Sequence, residues 1–444
     1  MDNLPDDLVS RILSFLPIRD VTRCRTISSR FGELGNRILA QSITIDSRTV
    51  GADLRKRRKY CFNLNRQWTE LLRERNMGTL NLFWEFSAAA LVERRNAIRW
   101  INYAAALKAK VMIIHLQETL YLPPSVYKLE SLEYLSLSKI TMMRLYDNEV
   151  RFGSLEVLSL CHVRVTKSPL LGEWISANCP RLRELNVQFV EGVEVLNVSS
   201  TSLEKFCIAN SIKDDLHRVD VSTERLRMMT VWLVTSPDTR QSTSLRIAAQ
   251  NLESLTLYGD ILDEYRLGNL NNLQEAYLYY NGCNSLINRI GRTVDQNLME
   301  IVRGVSQARR IFSHESFIEC MDLSGITSTM LQPLIERGLL QQLATFGRAE
   351  SFFLWIQSPN LPFRIIASFV EALLRPNLRM ISITYTKFIV ISPEGSFFRS
   401  QVTQMGTDLM QKIIRDELEI ETDIEIDIDD DSDFISTVQI SFQT

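Results

Sequence analysis

The sequence predicts an α/β chain in which a short module of three helices leads into a curved stack of strand-and-return repeats with an irregular C-terminal end. Three observations lead there. Apolar residues recur at helical spacing from Leu4 to Ile38. From about residue 129, apolar residues at positions n, n+3 and n+5 recur seven times in near-tandem. And 444 residues exceed what one compact core usually accommodates, so several domains or a repeat architecture are expected.

The first helix begins at Pro5, whose missing N–H would be unpaired there in any case. Asp6 and Asp7 complement the positive end of the helix dipole. Leu8, Ile12 and Leu16 recur every four residues, with Leu13 and Phe15 widening the stripe. Pro17 disfavours helix at Leu16 and ends the segment. Asp20 is suited to cap a second helix carrying Val21, Cys24 and Ile27, and Ser28 a third running through Phe31, Leu34 and Ile38. Roughly forty residues in three short helices bury too little surface to be comfortable alone. Either a partner or the rest of the same chain must cover the leftover apolar stripe.

The stretch LPDDLVSRILSFLPIRDVTRCRTISSRF resembles an F-box, the motif that docks a protein onto the Skp-type adaptor of a cullin–RING ubiquitin ligase. Leu-Pro, an acidic pair, Leu, Ile-Leu, Leu-Pro, Asp-Val and Ser-x-Arg-aromatic follow in the order of that motif. By this resemblance, Leu4, Pro5, Leu8, Ile12, Leu13, Leu16, Pro17, Val21, Ile27 and Phe31 carry the adaptor contact. Phe31 stands where the plant family usually has Trp, and Gly35 occupies a second such position.

Residues 1–45 thus form the docking module, and residues 46–128 read as linker and irregular first repeats. In the latter, Leu80–Phe86 and Val111–Leu116 suit strands, with the helix-like Arg94–Leu107 between them. The basic run Arg55–Lys59 fits a solvated linker or a nuclear-localisation or nucleic-acid patch; no stacking aromatics interleave with it, which favours the linker.

The repeats are Leu132-Leu135-Leu137, Leu155-Leu158-Leu160, Leu182-Leu185-Val187, Leu203-Phe206-Ile208, Leu226-Met229-Val231, Leu252-Leu255-Leu257 and Leu273-Ala276-Leu278. They start 21 to 27 residues apart, the period of leucine-rich repeats. Each unit is a short strand whose alternating apolar residues point into a shared core, followed by a return segment. No unit buries its own apolar side, so neighbours must stack. Residues 129–285 hold these copies. Residues 286–415 hold degenerate ones at Ile318-Met321-Leu323 and Leu378-Ile381-Ile383, with a helix near Gln296–Ile311.

The segments WINYAAALKAKVMIIHL, LPPSVYKLESLEYLSLSKI, FGSLEVLSLCHVRV and CPRLRELNVQFVEG are similar to the plant F-box/leucine-rich-repeat proteins. That family has a Trp-bearing helix, a Leu-Pro-x-x-Val segment and a Cys-Pro-x-Leu-x-x-Leu repeat in this order. Here these are Trp100, Leu122–Val126 and Cys179–Leu185, and the resemblance extends over roughly residues 3–280. It implies the substrate-recognition subunit of an SCF-type (Skp–cullin–F-box) ligase, in which the repeats hold a protein target for ubiquitination. The alternative is a non-degradative repeat scaffold with a weak or vestigial F-box. The small C-terminal domain that many members carry is not recognisable.

Residues flanking the last two apolar positions of each repeat face outward on the concave sheet. They are Ser136 and Ser138, Ser159 and Cys161, Asn186 and Gln188, Cys207 and Ala209, then Thr230 and Trp232, Thr256 and Tyr258, Tyr277 and Tyr279. Trp232, Tyr258, Tyr277 and Tyr279 would form one patch on three successive repeats, the candidate target-binding site, unless a loop or the C-terminal segment covers them. The face carries no Arg or Lys cluster, so a phosphorylated target is not indicated.

Composition narrows the rest. Apolar and charged fractions of 45% and 23% are those of a soluble protein, and no apolar run suits a membrane span. The acidic start, with Asp2, Asp6 and Asp7, is not that of a signal peptide. An intracellular protein of the nucleus and/or cytoplasm is expected. The seven scattered cysteines form no CxxC and no metal spacing with His115, His162, His217 or His314, so they read as small buried residues; no metal or cofactor is expected. No catalytic motif occurs, and an enzyme is not expected. Residues 416–444 form an acidic segment: from Asp416 to Asp433 there are eleven acidic residues and no basic one. Its alternation suits an edge strand, whereas its charge favours a solvated segment, above all at Asp429–Asp433. The expected partners are a Skp-type adaptor, through it a cullin–RING scaffold, and a protein target, with neither membrane nor nucleic acid.

Overall fold

A computed structural model describes residues 4–14, 21, 24, 27–71, 77–87, 90–143, 152–166, 170–235, 242–280, 293–314, 316–317, 348–356, 380–389, 421–428 and 434–443. The chain forms two compact units, residues 1–203 with 214–216, and residues 204–213 with 217–444.

The first unit opens with the helices Asp6–Ser14 and Ser29–Gln41. Val9 and Leu13 of the one pack with Phe31 and Leu34 of the other, and Leu4 and Cys24 lean on this cluster. Leu8 and Ile12 are 43% and 50% exposed, so the inward stripe of the first helix lies one residue along from the Leu8–Ile12–Leu16 spacing. The third helix starts as its sequence indicates: Ser28 Oγ accepts from Phe31 N–H at 3.2 Å. Arg30 Nε donates to Asp6 Oδ1 at 2.8 Å, tying the two helices together.

The strands β1 (Ser42–Asp46), β2 (Thr79–Trp84), β3 (Val111–Tyr121), β4 (Tyr134–Met143) and β5 (Val157–Cys161) follow. Short β6 (Arg164–Thr166) pairs with the end of β4, and β7 (Glu184–Gln188) pairs with β5. Each strand runs parallel to the one before it in the order β1-β2-β3-β4-β5-β7. Register aligns Leu80, Met112, Leu135, Leu158 and Leu185 in one row, all at most 1% exposed. Beside it runs the equally buried row Leu82, Ile114, Leu137, Leu160 and Val187. The return segments include the helices Ala90–Ala106, Pro124–Tyr127 and Leu171–Asn178 and the strand β8 (Val195–Ser200). Gly172 lets the last of these helices lie against β8, since a Cβ there would stand 2.0 Å from the Asn197 carbonyl oxygen.

The run Arg55–Lys59 is no linker. It opens the helix Leu54–Leu71, whose start is capped by Asp53: its Oδ1 accepts from Arg55 N–H at 2.8 Å. Arg57, Cys61, Leu64 and Trp68 recur at helical spacing on the buried side. A cation is tolerated there because Glu93 of the next helix meets it, Arg57 Nε donating to Glu93 Oε1 at 3.0 Å. The same carboxylate accepts from Trp84 Nε1 at 3.0 Å and from Ser87 Oγ at 2.7 Å, and the guanidinium lies 5.0 Å over the Trp84 ring. Further along, Asn65 donates to Asn96 at 3.0 Å and accepts from Trp100 Nε1 at 2.8 Å.

The second unit continues the pattern with β9 (Lys205–Ala209), β11 (Met228–Leu233), β13 (Ser254–Gly259) and β15 (Glu275–Tyr280), parallel and in register. Its return segments include the strands β10 (Arg218–Thr223), β12 (Ser244–Ala248) and β14 (Glu264–Leu267), which pair in parallel. Arg246 bridges Asp220 and Glu264 across them at 3.8 and 3.5 Å. The helix near residue 296 spans Thr293–Val305 and gives way to β16 (Arg310–His314), so its expected end at Ile311 is corrected. β16 pairs with β15, and β17 (Ser351–Ile356) pairs with β16; neither strand is among the repeats read from the sequence. The copy at Ile318–Leu323 lies outside the described residues. The copy at Leu378–Ile383 meets β18 (Met380–Ile389), parallel to β17. β19 (Glu421–Ile428) and β20 (Phe434–Gln443) close the sheet as an antiparallel pair, β20 against β18 and β19 outermost. The acidic alternation is therefore an edge strand; Asp429–Asp433 lies outside the described residues.

Arg57→Met leaves the Glu93 carboxylate buried and unpaired. It should lower the unfolding free energy by about 3 kcal/mol, read by urea denaturation. Burial pushes the Glu93 carboxyl up, but hydrogen bonds from Ser87, Arg57 and Trp84 outweigh it and hold it below its usual value of 4.5. A lowered folded value contributes stability above the usual value and loses it as pH falls through the folded one. Acidification below pH 4.5 should thus destabilise the wild type more than Glu93→Gln.

Candidate protein-docking surfaces

Two surfaces stand out, one in each unit. On the helical module, Pro5, Leu8, Ile12 and Ile27 are exposed, Leu8 and Ile12 one turn apart on one helix. Leu13, Val21 and Phe31 are buried and hold the module together, so they support the exposed side chains from beneath. Leu4 is half-buried, and Gly35 is buried within its helix. Leu16 and Pro17 lie outside the described residues. An exposed apolar stripe on helices with a closed core of their own is the geometry of a surface awaiting a partner helix.

In the second unit, strand alternation turns every other side chain away from the core, and parallel register lines these side chains up across strands. Trp232, Tyr258 and Tyr279 occupy one cross-strand row. Their ring centroids are 4.7 Å apart for Trp232 and Tyr258, and 6.2 Å for Tyr258 and Tyr279. His314 extends the row 6.3 Å beyond Tyr279, and Trp355 pairs with His314 in register. A second row begins at Tyr277. Its ring stacks on Phe312 at 4.4 Å, and Phe312 stacks on Phe353 at 4.5 Å, with planes 7° and 6° from parallel. Eight rings on five consecutive strands therefore form two adjoining ladders.

The four aromatics indicated by the sequence lie in this patch: Trp232 and Tyr258 are 41% and 40% exposed, Tyr277 and Tyr279 half-buried. Phe312, His314, Phe353 and Trp355 were missed because their strands were. A signal existed in Ala308-Ile311-Ser313 and Ala349-Phe352-Leu354, which keep the n, n+3, n+5 spacing but open on Ala. Burial raises the Tyr277 and Tyr279 hydroxyls, Tyr277 further through its 3.0 Å hydrogen bond to Glu275, so both remain protonated at neutral pH. The patch offers ring faces and neutral hydroxyls, with charge confined to its edge, where Arg310 pairs with Glu275. That chemistry suits a desolvated protein contact.

On the corresponding face of the first unit, Phe83, Ile113 and His115 of β2 and β3 give way to small and polar residues on β4, β5 and β7. Ser136 and Ser138, Ser159 and Cys161, Asn186 and Gln188 lie in register. Ser136 stays on this face but is buried, sharing a 2.9 Å hydrogen bond with His115 Nε2, and Ala209, in register with Trp232 in the second unit, is buried too, so neither is exposed. Cys61 and Cys179 are buried, and burial pushes their thiols up to about 11 and about 12.

Comparison with known proteins bears on both units. Residues 1–37 match the F-box domain model. Residues 99–275 match a model described as FBD-associated F-box protein At5g56370, LRR repeats. Among curated proteins, the chain is 25% identical over 221 residues to the F-box/FBD/LRR-repeat protein At1g78750 of Arabidopsis thaliana, covering 46% of each chain. It is 21% identical over 335 residues to the FBD-associated F-box protein At5g22730 of the same plant, covering 70% of this chain and 63% of that one. The matches thus span from about half to just under two thirds of the relatives' length.

Gly259 follows Tyr258 at φ +113°, and a Cβ there would meet the Leu233 carbonyl oxygen at 2.0 Å. Gly259→Ala should cost at least about 1 kcal/mol and alter the near-ultraviolet circular dichroism of the Trp232–Tyr258 pair. Under native conditions, Cys61 and Cys179 should resist maleimide, identified by peptide mapping, and react once urea unfolds the chain.

Proposed function

We propose, from its similarity to the plant F-box/leucine-rich-repeat proteins, that this chain is the substrate receptor of an SCF-type ubiquitin ligase. Residues 1–45 dock a Skp-type adaptor and through it a cullin–RING scaffold, while the repeats hold a protein target. F-box/leucine-rich-repeat proteins are non-catalytic ligase subunits, and this one contributes proximity and orientation: the target is held where the ligase's other arm transfers ubiquitin. The observation that carries the reading is the exposed Leu8–Ile12 stripe on a module whose core is already closed by Val9, Leu13, Phe31 and Leu34.

The two ladders around Trp232, Tyr258, Tyr277 and Tyr279 support target docking in the second unit, since aromatic side chains with polar tips are common binding anchors. Phe31 and Gly35, where the plant motif usually has Trp, are the departures that would favour a scaffold with a weak F-box. Both are buried in the module, away from the exposed stripe, which favours a competent F-box.

Leu8→Asp/Ile12→Asp should abolish co-purification with a Skp-type adaptor while the thermal midpoint stays unchanged, because both side chains are already exposed. A wild type that fails to bind the adaptor would overturn the receptor reading. Trp232→Ala/Tyr258→Ala should keep the adaptor and weaken target capture by about 2 kcal/mol per residue, measured as loss of ubiquitinated target from reconstituted ligase.

A further inference from the structure

One pair of helices is strongly basic. Leu54–Leu71 and Ala90–Ala106 together hold nine basic and two acidic residues, a net +7 in a chain of net −3. On the helix Leu54–Leu71, buried Arg57, Cys61, Leu64 and Trp68 mark the inward side. At 100° per residue, Arg55, Lys59, Phe62 and Arg66 then share the opposite side, and the structure leaves Arg55, Lys59, Phe62 and Arg66 exposed. On the helix Ala90–Ala106, buried Glu93, Ala97, Trp100, Ile101 and Ala104 likewise set Leu91, Val92, Arg95 and Arg99 on the outer side, all exposed. The two helices lie side by side, joined by Arg57–Glu93 and Asn65–Asn96, so their outer stripes form one surface.

Two properties of that surface point to the same ligand. Among the described residues, Arg55, Lys56, Arg58, Lys59, Arg95 and Arg99 make no ion pair, whereas the neighbouring Arg57 and Arg94 do. And Leu91 and Phe62, 77% and 68% exposed, are the most exposed large apolar side chains described. Unpaired cations alone suit any polyanion. Cations interspersed with protruding Phe62, Leu91 and Val92 suit a surface that is anionic at its face and apolar just beneath it.

We infer that this two-helix face binds an anionic lipid bilayer, its cations at the headgroups and Phe62, Leu91 and Val92 reaching the acyl boundary. Such peripheral binding needs no spanning helix, and no described helix is long and apolar enough to be one. The F-box stripe and the aromatic ladders are made of other residues.

The test is flotation of the full-length chain with phosphatidylcholine vesicles, with and without phosphatidylserine. Binding to the phosphatidylserine vesicles alone is expected. Arg55→Glu/Lys59→Glu/Arg95→Glu should weaken it by at least about fivefold per residue changed. Phe62→Ser/Leu91→Ser should retain binding at low salt and lose it at moderate salt, where screening removes the electrostatic part. These side chains are exposed, so unchanged circular dichroism and thermal midpoints check the fold. No binding to phosphatidylserine vesicles overturns the inference, as does binding that survives charge reversal. Preferential binding to RNA, lost on charge reversal and untouched by Phe62→Ser/Leu91→Ser, overturns it in favour of a nucleic-acid surface.

Discussion

Each strand of the repeats has its inward side chains flanked by those of neighbouring strands, and the parallel register between these neighbours is the constraint from which the rest follows. Leu80, Met112, Leu135, Leu158 and Leu185 form one row because each strand starts at the same level as the last. Burying such a side chain is worth about 1.5–3 kcal/mol, while a slip by one residue would turn the whole set outward. The chain enforces the register at its corners. Lys139, His162 and Phe189 follow the aligned Ser138, Cys161 and Gln188, and all three adopt left-handed backbone, with φ of 56°, 50° and 53°. Backbone strain at three equivalent positions marks a turn that must be made identically each time; His162 and Phe189 stack their rings 4.9 Å apart over it.

The same register that buries leucines inside builds the ladders outside. Tyr277, Phe312 and Phe353 stack nearly parallel because their strands hold them level and a strand-to-strand step is close to a stacking distance. A recognition surface on such a sheet is therefore edited one strand at a time: Ser and Asn on β4, β5 and β7 of the first unit, aromatic rows in the second. Only the outward positions change, and the core below is undisturbed.

Where the first unit departs from rows of leucine, a polar device takes over. Arg57, Glu93, Trp84 and Ser87 bring two helices, a strand and a connecting loop to one carboxylate. Removing either charge would leave the other buried, so the group works only as a whole. By holding two helices side by side, it also fixes the orientation of their outer basic faces. Local charge pairing inside and unpaired charge outside come from the same Arg- and Lys-rich run.

The sequence by itself determined the helical module, the seven strong repeats and the four aromatics of the second unit, because Leu at n, n+3 and n+5 signals a strand without reference to its neighbours. It also held the alternation of Glu421–Ile428, although charge argued against a strand until β20 was there to pair with it. Tertiary structure alone decided three things. Val9 rather than Leu8 faces inward, because a helix rich in apolar residues offers two adjacent stripes and the position of Phe31 and Leu34 selects one. Arg57 enters the interior because Glu93, 36 residues away, makes a buried cation tolerable. And Ala308-Ile311-Ser313 and Ala349-Phe352-Leu354 become repeats only in place, since Ala and Ser bury too little to announce a core position until flanking strands supply the rest of the contact.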